Sequence, residues 1–138
     1  MISPEKLMAL AGAARENAYS PYSGFAVGAA LACVDGTVYT GCNIENAAFT
    51  PPVCAERVAV VRAVTDGKRD FDAIAVVGGK AGPFAGRCTP CGVCRQVLAE
   101  FCDPERFTVY LMGEDGAPAA YRLSELLPFG FGKSDLGR

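Results

Sequence analysis

The chain has 138 residues, 51% of them apolar and 20% charged, with a net charge of −2, seven cysteines and no histidine. That length is about one domain with enough apolar side chains for a core. The scattered basic residues exclude a phosphate-tracking groove, and no apolar run approaches the ~18 residues of a membrane span. The first residues, MISPEKLMAL, lack the basic and apolar regions of a signal peptide. The expectation is a single domain over 1–138, cytoplasmic, acting on a small uncharged molecule, with no nucleic-acid or membrane partner.

Ser3-Pro4-Glu5 reads as a helix start, with Leu7, Leu10, Ala11, Ala14 and Ala18 following at helical spacing. Ser20-Pro21-Tyr22-Ser23-Gly24 is a breaker cluster. Phe25 to Val34 reads as a buried strand, Asp35-Gly36 as a hairpin turn and Thr37 to Cys42 as the return strand. Asn43 to Val53, with Pro51-Pro52, is irregular. A helix is predicted from Cys54 to Thr65; Val58, Val60, Val61 and Val64 make it apolar nearly all round, so its burial is expected. Phe71 to Val77 reads as a central strand and Gly78 to Pro90 as a loop. A third helix is predicted from Cys91 to Cys102, stopped by Asp103-Pro104. Phe107 to Met112 is a further strand, and a short strand and a helix near Ser124 to Leu127 follow. Strands alternating with helices predict an α/β layered domain with part of its sheet parallel.

Without histidine, any general base must be Asp, Glu, Lys, Tyr or Cys, and any transition-metal site must use thiolates or carboxylates. Cys91 and Cys94 stand at i and i+3 and share a helix face. Cys54 opens the preceding helix. Helix N-termini lower thiol pKa values, and the two starts can meet at one end of the sheet, where open α/β folds place ligands. Three ligands leave a fourth tetrahedral position for water, the arrangement of a catalytic zinc. Cys88 offers a competing closed four-thiolate site. Thr89, placed before Pro90, favours extended backbone and should turn Cys88 off the shared face. Cys33, Cys42 and Cys102 read as small buried hydrophobes. Glu56, in the first turn after Cys54, is the best base near the ligands. Zn²⁺ with three thiolates carries net negative charge, which weakens the acidification of water, and Arg57 is placed to offset it through hydrogen bonds to ligand sulfur.

Cys54-Ala55-Glu56-Arg57, followed by Pro90-Cys91-Gly92-Val93-Cys94-Arg95-Gln96, resembles the short, homotetrameric cytidine deaminases. Further matches are Tyr22 to Ala30, Gly41-Cys42-Asn43-Ile44-Glu45-Asn46-Ala47, and Leu126-Leu127-Pro128 through Asp135-Leu136, so the resemblance covers nearly the whole chain. It implies a three-layer α-β-α sandwich with a central mixed sheet of about five strands. It also implies one zinc per subunit and hydrolysis of cytidine and 2′-deoxycytidine in pyrimidine salvage. Phe25 would pack against the pyrimidine. Asn43 and Glu45 would bond the ribose hydroxyls. The backbone of Ala55 would contact the base near its amino group. Phe131 and the Ala47 segment would reach a neighbouring subunit's site, completing a homotetramer. Glu56 would take a proton from the activated water, pass it to N3, and deliver one to the departing amino group.

The chain departs from the family pattern at Phe49, where a Tyr is usual, at Thr50-Pro51-Pro52, and at Phe129-Gly130-Phe131, which adds an aromatic. A deaminase of a larger cytosine derivative, such as blasticidin S, shares the Cys-Ala-Glu and Pro-Cys elements; Asn43-Ile44-Glu45-Asn46 favours the plain nucleoside. Deaminases of nucleotides or tRNA usually place His in the first ligand position. A non-catalytic zinc module is the reading from another class, and Glu56 beside an open coordination position argues against it.

Overall fold

The structure, a computed structural model, describes residues 1–80 and 86–138. Ser3 caps α1 (Pro4–Arg15), its hydroxyl accepting from the Lys6 backbone N–H at 3.2 Å. The helix stops at Arg15, so Ala18 lies beyond it, its N–H bonding the Arg15 carbonyl. β1 (Ala26–Cys33) and β2 (Val38–Cys42) form the expected antiparallel hairpin around Gly36 at φ 92°. α2 (Ala55–Thr65), β3 (Phe71–Gly79), α3 (Gly92–Ala99), β4 (Thr108–Met112), β5 (Pro118–Arg122) and α4 (Leu123–Leu126) follow, with a 3₁₀ turn at Lys133–Leu136.

The five strands lie in the order β2-β1-β3-β4-β5; only β3 and β4 run parallel. Alternation along each strand divides the core. Ala30, Ala32, Ala73, Ala75 and Val77 meet Leu7, Met8 and Ala11 of α1 on one face. Leu31, Ile74, Val76, Val109 and Leu111 meet Ala55, Ala59 and Ala63 of α2 and Leu98 of α3 on the other. Each fully buried Leu or Ile contributes about 1.5–3 kcal/mol. These are the three expected layers. α2 seats directly on β2 at Gly41, where a Cβ would lie 2.4 Å from the Ala55 carbonyl oxygen. This contact fixes the start of α2 over the sheet.

Three further expectations are corrected. α2 is not buried all round. Val60 is buried, Val58 and Val64 are half-buried, and Val61 is 60% exposed, because one helix face must point off a sheet that lies on the other side. α3 ends at Ala99 rather than Cys102: the Glu100 and Phe101 N–H groups bond back only three residues, tightening the chain into a turn before Asp103-Pro104. The predicted loop from Gly78 to Pro90 begins later, since Gly78 and Gly79 finish β3, and its residues 81–85 lie outside the described residues.

Candidate active site

β3 is followed in the sheet by its parallel neighbour β4, and both α2 and α3 start at the end of the sheet where β3 finishes. Cys54 is the N-cap of α2 and Cys91 the N-cap of α3; neither side chain caps its own helix, so both sulfur atoms remain available. Cys94 sits in the first turn of α3. The Cys54 and Cys91 Sγ atoms are 3.8 Å apart and the Cys91 and Cys94 Sγ atoms 3.4 Å, and all three lie within 4.8 Å of one another. A tetrahedral zinc with sulfur at ~2.3 Å sets its ligands about 3.8 Å apart, so the donor set and its spacing fit this ion. Cys94 is buried, Cys54 half-buried and Cys91 exposed, which leaves one side of the group open.

Cys88 stays out of this group. Its sulfur packs against the end of β3, 2.8 Å from where a Cβ on Gly78 would stand, and burial pushes its thiol up to about 11. Cys33 is buried, whereas Cys42 and Cys102 are only half-buried; Cys102 donates to the Leu98 carbonyl at 3.2 Å, and burial raises it to about 12. Cys54 behaves oppositely: hydrogen bonding from Cys94, then from Arg57 and Cys91, pulls it down to about 5. Arg57 Nη2 donates to Cys54 Sγ at 3.6 Å, and its Nε is buried with no hydrogen-bond partner among the described residues.

Glu56 is 4% exposed. Burial first, and then the neighbouring Cys54 charge, push its carboxyl up to about 7 against the opposing pull of its own backbone N–H. A carboxyl at that value can both take and release protons near neutrality. The zinc charge acts in the other direction once the ion is in place.

A cavity of about 460 Å³ opens beside this group and is lined by Phe25, Asn43, Glu45, Ala55 and Glu56, with Cys54, Arg57 and Cys91. That volume lies within the range of small-molecule sites. Asn43 and Glu45 also tie the backbone. Asn43 Oδ1 accepts from Val27 N at 2.8 Å and its Nδ2 donates to the Phe25 carbonyl at 2.8 Å. Glu45 accepts from the N–H groups of Tyr22 and Ser23 and from the Ser23 hydroxyl, which hold its carboxyl below the usual range. Ala47 and Phe131 are exposed and do not line this cavity. Phe131 borders a larger bowl of about 790 Å³ beneath the C-terminal segment, where the Gln96 side chain donates to its carbonyl at 2.8 Å. Sequence reasoning missed Val27, Val53 and Thr89 as lining residues; Phe49 and Pro52, singled out only as departures from the family pattern, line the cavity too. Only their place beside recognised residues could have found them.

The family model for the cytidine and deoxycytidylate deaminase zinc-binding region matches residues 1–111, which include all three cysteines. The chain belongs to this family. It is 52% identical over 132 residues to a cytidine deaminase of Sporosarcina psychrophila, covering 96% of this chain and 93% of that one. It is 49% identical to a cytidine deaminase of Halalkalibacterium halodurans, over 89% of each chain. The crystal structure of cytidine deaminase from Burkholderia pseudomallei superposes with a TM-score of 0.84 at 44% identity, covering 94% of this chain and 100% of that one. The five-stranded mixed sheet and its helices are therefore the family's fold, and zinc is the cofactor that the Cys54, Cys91 and Cys94 group fits.

Proposed function

We propose that the chain is a zinc-dependent hydrolase that converts cytidine and 2′-deoxycytidine, with water, to uridine and 2′-deoxyuridine plus ammonia, in pyrimidine salvage in the cytoplasm. The observation that carries this reading is the buried Glu56 carboxyl set beside three sulfur ligands at the wall of a cavity of about 460 Å³. Free thiols at all seven cysteines agree with a reducing compartment.

Zinc, when bound by Cys54, Cys91 and Cys94, supplies Lewis-acid activation of water. Glu56 takes a proton from the attacking water and places it on N3 of the base. It then delivers a proton to the exocyclic nitrogen, which leaves as ammonia. Ala55, at the first position of α2, offers its backbone to that end of the base. Phe25, 38% exposed at the cavity wall, packs against the pyrimidine face. Asn43 and Glu45 keep lone pairs or N–H capacity beyond their backbone bonds, and these meet the ribose hydroxyls. Arg57 balances the charge of the sulfur ligands.

The same reading assigns a homotetramer in which the Ala47 segment and Phe131 complete a neighbour's site. Support comes from the exposed Phe49 at the cavity, the exposed Phe129 and Phe131 and the outward Val61. A monomer in size-exclusion chromatography with light scattering would remove this part of the proposal. The deciding experiment is an ultraviolet assay across cytidine, deoxycytidine, cytosine, CMP and blasticidin S, with zinc measured on the same sample. Turnover of the two nucleosides with one zinc per chain is expected. Turnover of blasticidin S alone, or zinc with no turnover, would overturn the reading.

A further inference from the structure

Among the described residues, two charged side chains are buried: Glu56 in the site, and Arg15, at 8% exposure, on the opposite face of the sheet. A buried guanidinium is costly unless its donors are met. Arg15 shares a helical stripe with Leu7 and Ala11, and that stripe seats on β1 at Gly28. A Cβ there would lie 2.0 Å from the Ala11 carbonyl oxygen and 2.6 Å from the Arg15 nitrogen. The helix thereby delivers Arg15 to the end of the sheet where the sulfur ligands lie.

Its fork joins two strands. Nε donates to the Ala26 carbonyl at 2.9 Å, and Nη2 donates to the Gly79 and Lys80 carbonyls at 2.8 Å each. Ala26 and Gly79 are the last paired residues of the β1–β3 ladder. Where that ladder runs out, the guanidinium supplies the next rung. Ala26 lies between Phe25 and Val27, both of which line the cavity. Asn43 grips Phe25 and Val27 from the β2 side, so the wall is held from both edges. The other strand end carries Cys88, which packs at Gly78 and lines the cavity. The Arg15 charge is felt there, working against the burial that raises the Cys88 thiol.

We propose that Arg15 is a positioning residue for nucleoside binding: from the face of the sheet away from the sulfur ligands, it locks the Phe25–Val27 wall and the end of β3 in the geometry that receives the substrate. The proposal rests on the deaminase reading above. A lysine keeps the charge but presents a compact ammonium that does not reproduce the planar fork across two strands.

The test uses the zinc-loaded full chain, with Arg15→Lys and Arg15→Met beside the parent. Measurements are kcat and KM for cytidine, zinc content, and hydrogen exchange of segments 25–28 and 78–80. A misplaced wall should raise KM about tenfold in Arg15→Lys, with kcat within about threefold, one zinc retained, and faster exchange confined to those segments. A parent-like KM in Arg15→Lys, or zinc lost in step with activity, overturns the proposal. Fast exchange at 25–28 in the parent overturns it without any variant. A parent chain that does not turn over cytidine overturns the deaminase reading itself. Parent turnover with a parent-like Arg15→Lys overturns only the positioning role.

Discussion

The two ends of the sheet carry similar residue types and do different things with them. At the end where β1 finishes and β3 begins, Lys68 pairs with Asp35 at 2.6 Å, the Tyr39 hydroxyl donates to Asp66, and Cys33 lies buried below. Lys68 and then Thr37 hold Asp35 well below the usual carboxylate range, and burial pushes the Cys33 thiol up. Those charges satisfy one another in water, and the thiol stays neutral. At the other end the pattern inverts: the carboxyl of Glu56 is buried and raised to about 7, and the Cys54 thiol is lowered to about 5. Burial and local donors make this difference: burial raises Glu56, hydrogen bonds from Cys94, Arg57 and Cys91 lower Cys54 against its burial, and at Cys33 burial outweighs the bond from Thr37.

Removing the inverted carboxyl should have the largest effect. Glu56→Gln should lower kcat on cytidine by about 10²–10⁴-fold, the span of one general acid–base group, while zinc analysis still finds one ion per chain. Near-parent turnover would leave the site end chemically no different from the far end. Arg57→Gln comes next. The Arg57 bond to Cys54 Sγ should be worth about 10–100-fold in zinc affinity or activity, read by competition with a chelator. An unchanged affinity would mean that the sulfur charge is balanced by something other than this guanidinium.

Much of this contrast was legible before any coordinates. Ser3-Pro4, Asp35-Gly36 and Asp103-Pro104 mark element ends through local backbone chemistry, and each lies within a few residues of a real boundary. The sulfur group was legible because i, i+3 spacing and two helix starts are local facts. Cys88 could be set aside because the residue before a proline is restricted locally too. The outward face of α2 was not legible, because which valine meets the sheet depends on how Gly41 seats the helix. Arg15 was overlooked although its spacing from Leu7 and Ala11 put it on the buried stripe. A charge on such a stripe signals a bond to backbone across the sheet, and only the register of β1 against β3 reveals which carbonyls accept it. The double use of Asn43 and Glu45 has the same origin, since Val27 and Ser23 are distant from them in sequence.

The smaller effects concern stability. In the metal-free protein, Glu56 binds its proton more tightly folded than unfolded, with its value raised from 4.5 to about 7. The protonated form therefore favours folding. The loss begins as pH climbs past about 4.5 and is complete above about 7, amounting to at most about 3 kcal/mol at ~1.36 kcal/mol per pKa unit. Metal-free Glu56→Gln has no such charge to bury. Its melting temperature should match the parent near pH 4 and exceed it at pH 8 in paired thermal melts. Equal melting at both values would mean that the carboxyl is solvated in the metal-free state.

Lys68→Met should do least, and that is its use. Lys68 and Asp35 keep side-chain exposures of 29% and 49%, where solvent and salt screen an ion pair. The pair's contribution is present at neutral pH and fades only as pH falls below the ordinary 3.8 of Asp35 towards its lowered folded value. The variant should melt slightly earlier at neutral pH and low salt, with the difference shrinking in high salt or strong acid. Its kcat on cytidine and its zinc content should stay at parent values. A change in either would mean that β1 and β3, which run between the two ends, transmit strain along their length, and the quiet end would then be part of the site's support.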